Sequence, residues 1–96
     1  FEEQTKVERK KLSAEEILTR LAELDYWKVL DGKLLKKYKF ANFAESLSFI
    51  NKVGEIAETH DHHPDIKFGW GYAEIYLTTH DAGGITISDV AVAKEI

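Results

Sequence analysis

The stretch 70–79, Trp-Gly-Tyr-Ala-Glu-Ile-Tyr-Leu-Thr-Thr, carries the clearest secondary-structure signal in the chain. Within it the apolar residues Ala73, Ile75 and Leu77 alternate with Tyr72, Glu74 and Tyr76. A period of two residues places alternate side chains on opposite faces of a β-strand. The stretch therefore predicts a strand with one apolar face, and it makes a half-buried sheet part of the fold.

The residues before this strand predict the longest helix of the chain. Asn42 followed by Glu45 is a typical start signal, because each can satisfy backbone N–H groups of the first turn. An apolar stripe then recurs at steps of three and four residues: Phe43, Leu47, Ile50, Val53 and Ala57. Pro64 disfavours helical geometry at His63. We therefore expect a helix over about 43–59.

Similar signals define the other elements. Ser13 and Glu16 form a capping box ahead of a helix over about 14–24. Asp31-Gly32 separates the apolar runs 26–30 and 33–40, and an Asp-Gly pair favours a tight hairpin turn. Thr86 and Asp89 repeat the capping pattern ahead of a short last helix.

The resulting order is α-β-β-α-β-α, which predicts an α+β fold. We expect a small antiparallel sheet with the helices packed on one face. Residues 1–11 show no clear period, and they are expected to form a flexible arm or an edge strand. Exposed strand edges are usually protected in native proteins, and pairing with a second copy is one way to do so. A homodimer or homotetramer is therefore expected.

Composition narrows the function classes. The chain has 96 residues, enough for one domain over 1–96, and its formal net charge is −4. That balance disfavours nucleic acid as a partner, because phosphate binding needs a basic face. The chain has no Cys, which excludes disulfides, thiol nucleophiles and thiolate-bound metals. No targeting segment and no apolar run of membrane length is present, so a cytoplasmic location without a membrane partner is the expectation.

All four histidines lie between His60 and His80. Histidine suits proton transfer near neutral pH, and a nearby carboxylate can orient its ring. If the strand over 70–79 runs back beside the end of the long helix, the two histidine groups meet in one cleft. The spacing favours a general acid/base pair. A metal site made of His62, His80 and an aspartate is the alternative that the spacing leaves open.

These residues also resemble a known family signature. The stretch Glu58-Thr-His-Asp-His62-His63-Pro64, followed by Trp70, His80 and Asp89, is similar to the motif of the pterin-4a-carbinolamine dehydratases. Further likeness lies in 12–16, at Trp27, and in 40–43 and 78–83, so that the resemblance spans about 12–92 of the chain.

The resemblance implies a lyase that dehydrates 4a-hydroxytetrahydropterin to quinonoid dihydropterin during tetrahydrobiopterin recycling. It implies that no metal and no organic cofactor is needed. The catalytic residues that it implies are His62, His63 and His80. His63 or His80 is expected to protonate the leaving hydroxyl, and His62 to assist as a base or hydrogen-bond partner. The implied substrate contacts are Asp61, His62, His63, Thr78, Thr79, His80, Asp81 and Trp27.

Supporting roles are implied for three further residues. Pro64 fixes the chain that follows the histidines. Asp89 either holds a histidine ring or simply caps the last helix. Glu58 either contacts the site or is an ordinary exposed helix residue. Trp27 likewise is either an aromatic wall of the site or a core residue. His60 lies outside the motif and is interpreted as a helix-end residue.

A different class of function stays open beside the enzyme. The same scaffold can act as a protein-binding or regulatory module in which the histidines are present but unused. An exposed apolar sheet face together with a closed pocket would favour that module. Convergence of His62, His63 and His80 on a bound pterin analogue would favour the enzyme.

Overall fold

The computed structural model describes residues 11–96, so the arm or edge strand expected for residues 1–11 lies almost wholly outside the described residues. The α+β class is confirmed. The described helices are α1 (Ala14–Leu21), α2 (Phe43–His60) and α3 (Ile87–Glu95), with a 3-10 turn at His80–Ala82. The strands are β1 (Lys28–Leu30), β2 (Lys33–Lys39), β3 (Asp65–Gly69) and β4 (Tyr72–Leu77).

The sheet is antiparallel, with strand order β1-β2-β4-β3. Strand β3 is absent from the sequence-based order, which runs directly from the long helix to the strand over 70–79. Among the strands of residues 11–96, the five residues of β3 form an edge of the sheet and pair with β4 alone. Ile66 and Phe68 do alternate with Asp65 and Lys67, but so short an alternation is weak evidence on its own.

The core lies between the sheet and the helices. Ala73, Ile75 and Leu77, the apolar face predicted for β4, are fully buried. The last two pack in one cluster with Val53 of α2 and Val90 of α3. The outer face of the sheet carries no helix within the described residues, as expected for helices on one side.

The helix starts follow the predicted chemistry. The Ser13 hydroxyl accepts from the Glu16 N–H at 3.2 Å, and the Glu16 carboxylate accepts from the Ser13 N–H at 2.8 Å. At α2 the Asn42 side chain accepts from the Glu45 N–H at 2.9 Å. Helix α1 is shorter than expected: it ends at Leu21, whereas the sequence predicts an end near residue 24.

Candidate active site

The end of α2 determines how the chain enters the histidine segment. Asp61 adopts a left-handed conformation with φ of 50°. Its N–H donates to the carbonyl of Glu58 at 3.2 Å, and the N–H of His62 donates to the carbonyl of Ala57 at 3.1 Å. This pair of bonds satisfies two carbonyls that the helix end would leave open. The helix therefore stops at His60, and His62, His63 and Pro64 leave it without helical structure.

His62 points inward. Its side chain is 7% exposed, and its Nε2 lies 2.5 Å from Oδ1 of Asp89, a residue with no exposed surface. A buried carboxylate that faces an imidazole fixes the orientation of the ring. His62 is thus held rigidly between the end of α2 and the start of α3.

Asp89 both holds the ring of His62 and caps the start of α3. Its Oδ2 accepts from the Thr86 N–H at 2.8 Å, as the third residue of a capping box, and from the Thr79 hydroxyl at 2.9 Å. The hydroxyl oxygens of Thr79 and Thr86 lie 2.8 Å apart. The sequence left capping and ring-holding as alternatives for Asp89, and the geometry shows both.

His63 points outward, although it is the next residue. Its side chain is 55% exposed, and its Nε2 is hydrogen-bonded to Oε2 of Glu58 on the last turns of α2. Glu58 is itself exposed. Glu58 is therefore an exposed helix residue that also contacts a histidine of the site, His63.

His80 begins the 3-10 turn that follows β4, and its side chain is exposed. A bridge between Thr79 and Gly84 closes this turn, with the Thr79 N–H donating to the Gly84 carbonyl at 2.9 Å. Gly83 takes a positive φ of 76°, which a glycine adopts without strain. The turn therefore presents His80 at the end of the sheet that also receives His62 and His63.

The three histidines line one open depression of about 240 Å³. Its lining residues are Asp61, His62, His63, Thr78, Thr79, His80 and Asp81. Every predicted substrate contact except Trp27 is in this set. The depression is shallow, and it combines proton-transfer groups with carboxylate and hydroxyl oxygens.

Trp27 lies elsewhere. It is 5% exposed, belongs to the core cluster, and borders a separate cavity of about 610 Å³ beside β1, with Tyr26 and Leu35 among its neighbours. Within this chain the geometry therefore favours the core interpretation of Trp27 over the aromatic wall. The second cavity is larger, but among the described residues its lining carries no histidine and no carboxylate, so the groups suited to acid/base chemistry lie at the smaller one.

Pro64 is half-buried and does not line the depression. It follows His63 directly, where its ring restricts the backbone of the histidine segment.

His60 ends α2 and places its Nε2 3.3 Å from Oε2 of Glu95 on α3. His60 therefore joins two helices and does not face the depression.

A metal centre has no geometric support in the described part of the chain. Between residues 11 and 96 no group of three or more His, Asp or Glu side chains is arranged to hold a metal ion. His62, which the metal alternative required, has its Nε2 bonded to Oδ1 of Asp89. Also within residues 11–96, no helix has the length and apolar character to span a membrane.

Sequence reasoning missed two residues that shape the site. Thr86 was assigned only a capping role, yet its hydroxyl lies within hydrogen-bond distance of Thr79 and completes the network around Asp89. Gly32 was assigned only to a hairpin turn, yet its carbonyl accepts from the Thr78 hydroxyl at 3.2 Å. No local pattern signals either contact, because the partners are seven and 46 residues apart in the sequence.

Comparison with known proteins supports the resemblance. The family model for pterin 4 alpha carbinolamine dehydratase matches residues 10–96. A protein of Rubrobacter xylanophilus, provisionally named a pterin-4-alpha-carbinolamine dehydratase, is 45% identical over 86 residues, which cover 88% of this chain and 80% of that protein. A protein of Sulfolobus acidocaldarius with the same provisional name is 42% identical over 86 residues, covering 90% of this chain and 94% of the other.

A solved structure shares the fold. The transcriptional coactivator/pterin dehydratase from Brucella melitensis superimposes with a TM-score of 0.84 at 28% identity, covering 88% of this chain and 93% of that one. The match of the family model to almost the whole chain and the identity to the curated relatives lead to one conclusion. The chain belongs to the pterin 4 alpha carbinolamine dehydratase family.

Proposed function

We propose that the protein is a hydro-lyase that converts 4a-hydroxytetrahydropterin to quinonoid dihydropterin by histidine general acid/base catalysis. The observation that carries the proposal is the convergence of His62, His63 and His80 on one open depression. Family membership supports a dehydratase acting on a pterin. The open form of the depression favours an enzyme over a binding module with unused histidines.

The reaction needs two proton transfers and no change of oxidation state. A proton goes to the 4a-hydroxyl, the C4a–O bond breaks and water leaves. The proton on N5 is removed, and the electron pair of the N–H bond forms the new C=N bond. One proton is given and one is taken, so a donor and an acceptor beside the same ring edge complete the cycle.

The exposure of each histidine suggests its part. His63 and His80 are exposed at the depression and are suited to the transfers, with His63 or His80 protonating the hydroxyl. His62 has its Nε2 engaged by Asp89, which leaves Nδ1 as the nitrogen able to serve the substrate as base or hydrogen-bond partner. The proposal assigns the two proton transfers to the three histidines as a group.

The remaining lining residues suit the polar edge of a pterin. Carboxylates of Asp61 and Asp81 and the hydroxyl of Thr78 can accept from amino and N–H groups of the pyrimidine ring. The Thr79 hydroxyl already donates to Asp89, so it serves the site through that carboxylate. In this proposal the pathway is tetrahydrobiopterin recycling in the cytoplasm.

We also propose that the protein works as a homo-oligomer. Within the described residues 11–96, strand β1 has a partner on one side only, and its own residues Val29 and Leu30 are 42% and 53% exposed. An unpaired strand edge with apolar side chains favours pairing with another copy.

The direct test supplies 4a-hydroxytetrahydropterin and follows its dehydration by absorbance. We expect His62→Ala and His80→Ala each to lower kcat by about 10²–10⁴-fold, the usual range for a lost general acid or base. His60→Ala is the matched control and should leave kcat unchanged, because His60 faces Glu95 instead of the depression. Wild-type protein that does not accelerate the reaction over buffer would refute the enzymatic proposal.

A further inference from the structure

Two neighbouring threonines line the depression in different surroundings. Thr78 is half-buried, whereas Thr79 has only 3% of its surface exposed. The Thr78 hydroxyl donates to the carbonyl of Gly32, and the Thr79 hydroxyl donates to Oδ2 of Asp89 at 2.9 Å. A hydroxyl group has a single proton to donate. The proton of Thr79 is therefore used inside the protein, although the family resemblance implies a substrate contact at this residue.

Thr86 determines the direction of the hydrogen bonds around Thr79. Thr86 has no exposed surface, and its hydroxyl oxygen accepts from the Ser88 N–H at 3.2 Å. Among residues 11–96, the acceptor within reach of the Thr86 proton is Oγ1 of Thr79, at 2.8 Å. A buried hydroxyl proton without an acceptor is costly. Thr86 therefore donates to Thr79, and Thr79 donates to Asp89.

The donors around Asp89 determine where the proton of His62 lies. Oδ2 of Asp89 accepts from the Thr79 hydroxyl and also from the Thr86 N–H at 2.8 Å. Two donors exclude a proton on Oδ2, and they favour a carboxylate, because hydrogen bonds to an ionised acceptor are the stronger ones. The other oxygen, Oδ1, lies 2.5 Å from Nε2 of His62. The hydrogen bond between these two atoms then requires a proton on Nε2.

A neutral imidazole carries one proton, so the nitrogen without it is an acceptor. In His62 that nitrogen is Nδ1, because Nε2 donates to Asp89. His62 is also one of the residues that line the depression. Its Nδ1 can take a proton from a bound pterin and has none to give. The proton for the leaving hydroxyl then comes from His63 or His80, which are exposed at the same depression.

We propose that Thr79 is a positioning residue for the reaction, whose hydroxyl acts through Asp89 to hold His62 in the tautomer that offers Nδ1 as a proton acceptor. The inference rests on the proposed function, since it takes the pterin to react at the histidines. When the N–H bond at N5 breaks, its proton goes to Nδ1 and its electron pair forms the C=N bond. The imidazolium that results is paired with the Asp89 carboxylate, and its extra proton then passes to water.

The first measurement reads the tautomer in the wild-type protein without any turnover. Heteronuclear NMR of histidine rings labelled with heavy nitrogen distinguishes a protonated Nε2 from a protonated Nδ1. The spectrum is recorded at about pH 9, where an imidazole carries one proton, and the His62 signals are those missing from His62→Ala. We expect the proton of His62 on Nε2. A proton on Nδ1 would overturn the inference.

The second measurement removes the hydroxyl of Thr79. Thr79→Val keeps the branched shape, and we expect it to lose the pure Nε2–H tautomer of His62 and to lower kcat by about 10–100-fold, the usual cost of an outer hydrogen-bond partner. KM should stay unchanged, because the Thr79 hydroxyl is bonded to Asp89 and not to the substrate. Thr79→Ser restores the hydroxyl and should restore both the tautomer and kcat.

Thr78→Val is the matched control one residue away. Its hydroxyl is bonded to Gly32 and not to Asp89, so this variant should raise KM and leave the tautomer of His62 unchanged. A Thr79→Val enzyme with wild-type tautomer and kcat, or with a raised KM in place of a lowered kcat, overturns the inference. The wild-type tautomer decides the question even where Thr79→Val does not fold. A wild-type protein without dehydratase activity would instead contradict the proposed function.

Discussion

At the scale of single residues, Asp89 determines the geometry of the site more than any histidine does. A fully buried carboxylate is costly unless its oxygens are hydrogen-bonded. Here Thr86, Thr79 and His62 supply the partners. The start of α3, the end of β4 and the inward histidine are therefore fixed by one side chain.

Removing that side chain should damage stability and catalysis together. Asp89→Ala leaves three polar partners unpaired in the core, and we expect the free energy of unfolding to fall by about 3 kcal/mol, as measured by urea denaturation. Asp89→Asn keeps a carbonyl that can accept from the Thr86 N–H, so it should lose less stability.

The Asn variant separates the two roles. It removes the carboxylate that faces His62, and we expect a drop in kcat larger than its loss of stability explains. Ser88→Ala is a control in the same helix turn, because Ser88 contacts Thr86 through its backbone N–H, which the substitution keeps. An Asp89→Asn enzyme with wild-type kcat would show that ring orientation by Asp89 does not matter for the reaction.

Most of the candidate site could be predicted from the sequence, for an identifiable reason. The histidine cluster and the capping signals are local patterns, and the structure brings His62, His63 and His80 to one depression. The direction of each ring could not be predicted. The inward turn of His62 depends on the left-handed Asp61 and on an aspartate 27 residues away, which no local pattern contains.

At the scale of elements, α2 and β2 pack through a small aromatic cluster. The rings of Tyr38 and Phe49 lie 4.4 Å apart, and Phe40 lies 5.2 Å from Phe49. The Tyr38 hydroxyl has no hydrogen-bond partner among the described residues, and burial raises the pKa of Tyr38 to about 12. This cluster helps to hold the helix whose end carries the histidines.

Tyr38 should make stability depend on alkaline pH. Because its folded pKa lies above its ordinary value of 10.0, the native state keeps the phenolic proton longer than the unfolded chain does. The contribution is complete below pH 10.0 and is lost as pH rises through about 12. We expect Tyr38→Phe to change the free energy of unfolding by at most about 1 kcal/mol at neutral pH, since no bond to the hydroxyl is lost.

The measurement is urea denaturation of both proteins between neutral pH and pH 12. The wild type should lose stability more steeply than Tyr38→Phe at the alkaline end, because only the wild type carries the phenol. Tyr76→Phe provides a comparison on the outer face, where a hydrogen bond with Glu74 raises the pKa of Tyr76. Parallel curves for wild type and Tyr38→Phe would contradict the role assigned to burial.

The elements that the sequence predicted share a property that β3 lacks. Helices α1, α2 and α3 begin with side-chain caps, and β4 has a sustained alternation. Strand β3 is held by pairing with β4, a contact that forms only in three dimensions. A short edge strand is therefore the element that a reading of local patterns most easily overlooks.

At the scale of the whole molecule, the chain is small, and β1 forms an edge of the sheet in the part of the chain that the structure describes. Strand β1 has three residues, and a cavity with Val29, Leu30 and Tyr26 in its lining lies beside it. A domain of this size buries a limited apolar area on folding, so association adds useful stability.

We expect light scattering to show a dimer or tetramer of the 11.0 kDa chain. Leu30→Glu should shift the protein toward the monomer, because it places a charge at the exposed edge. Leu18→Glu is the control, since Leu18 is 66% exposed and belongs to α1 instead of the edge strand. A wild-type protein that remains monomeric at high concentration would rule out the homo-oligomer.

The opposite directions of His62 and His63 have a consequence for how this protein can change. Neighbouring side chains in a non-helical segment face opposite ways, so losing or gaining one residue between Asp61 and Pro64 would exchange the buried ring and the exposed ring. A point substitution removes one of the two imidazole rings, whereas an insertion or deletion of one residue changes the position of both. The length of this segment therefore decides which of the two histidines is buried against Asp89.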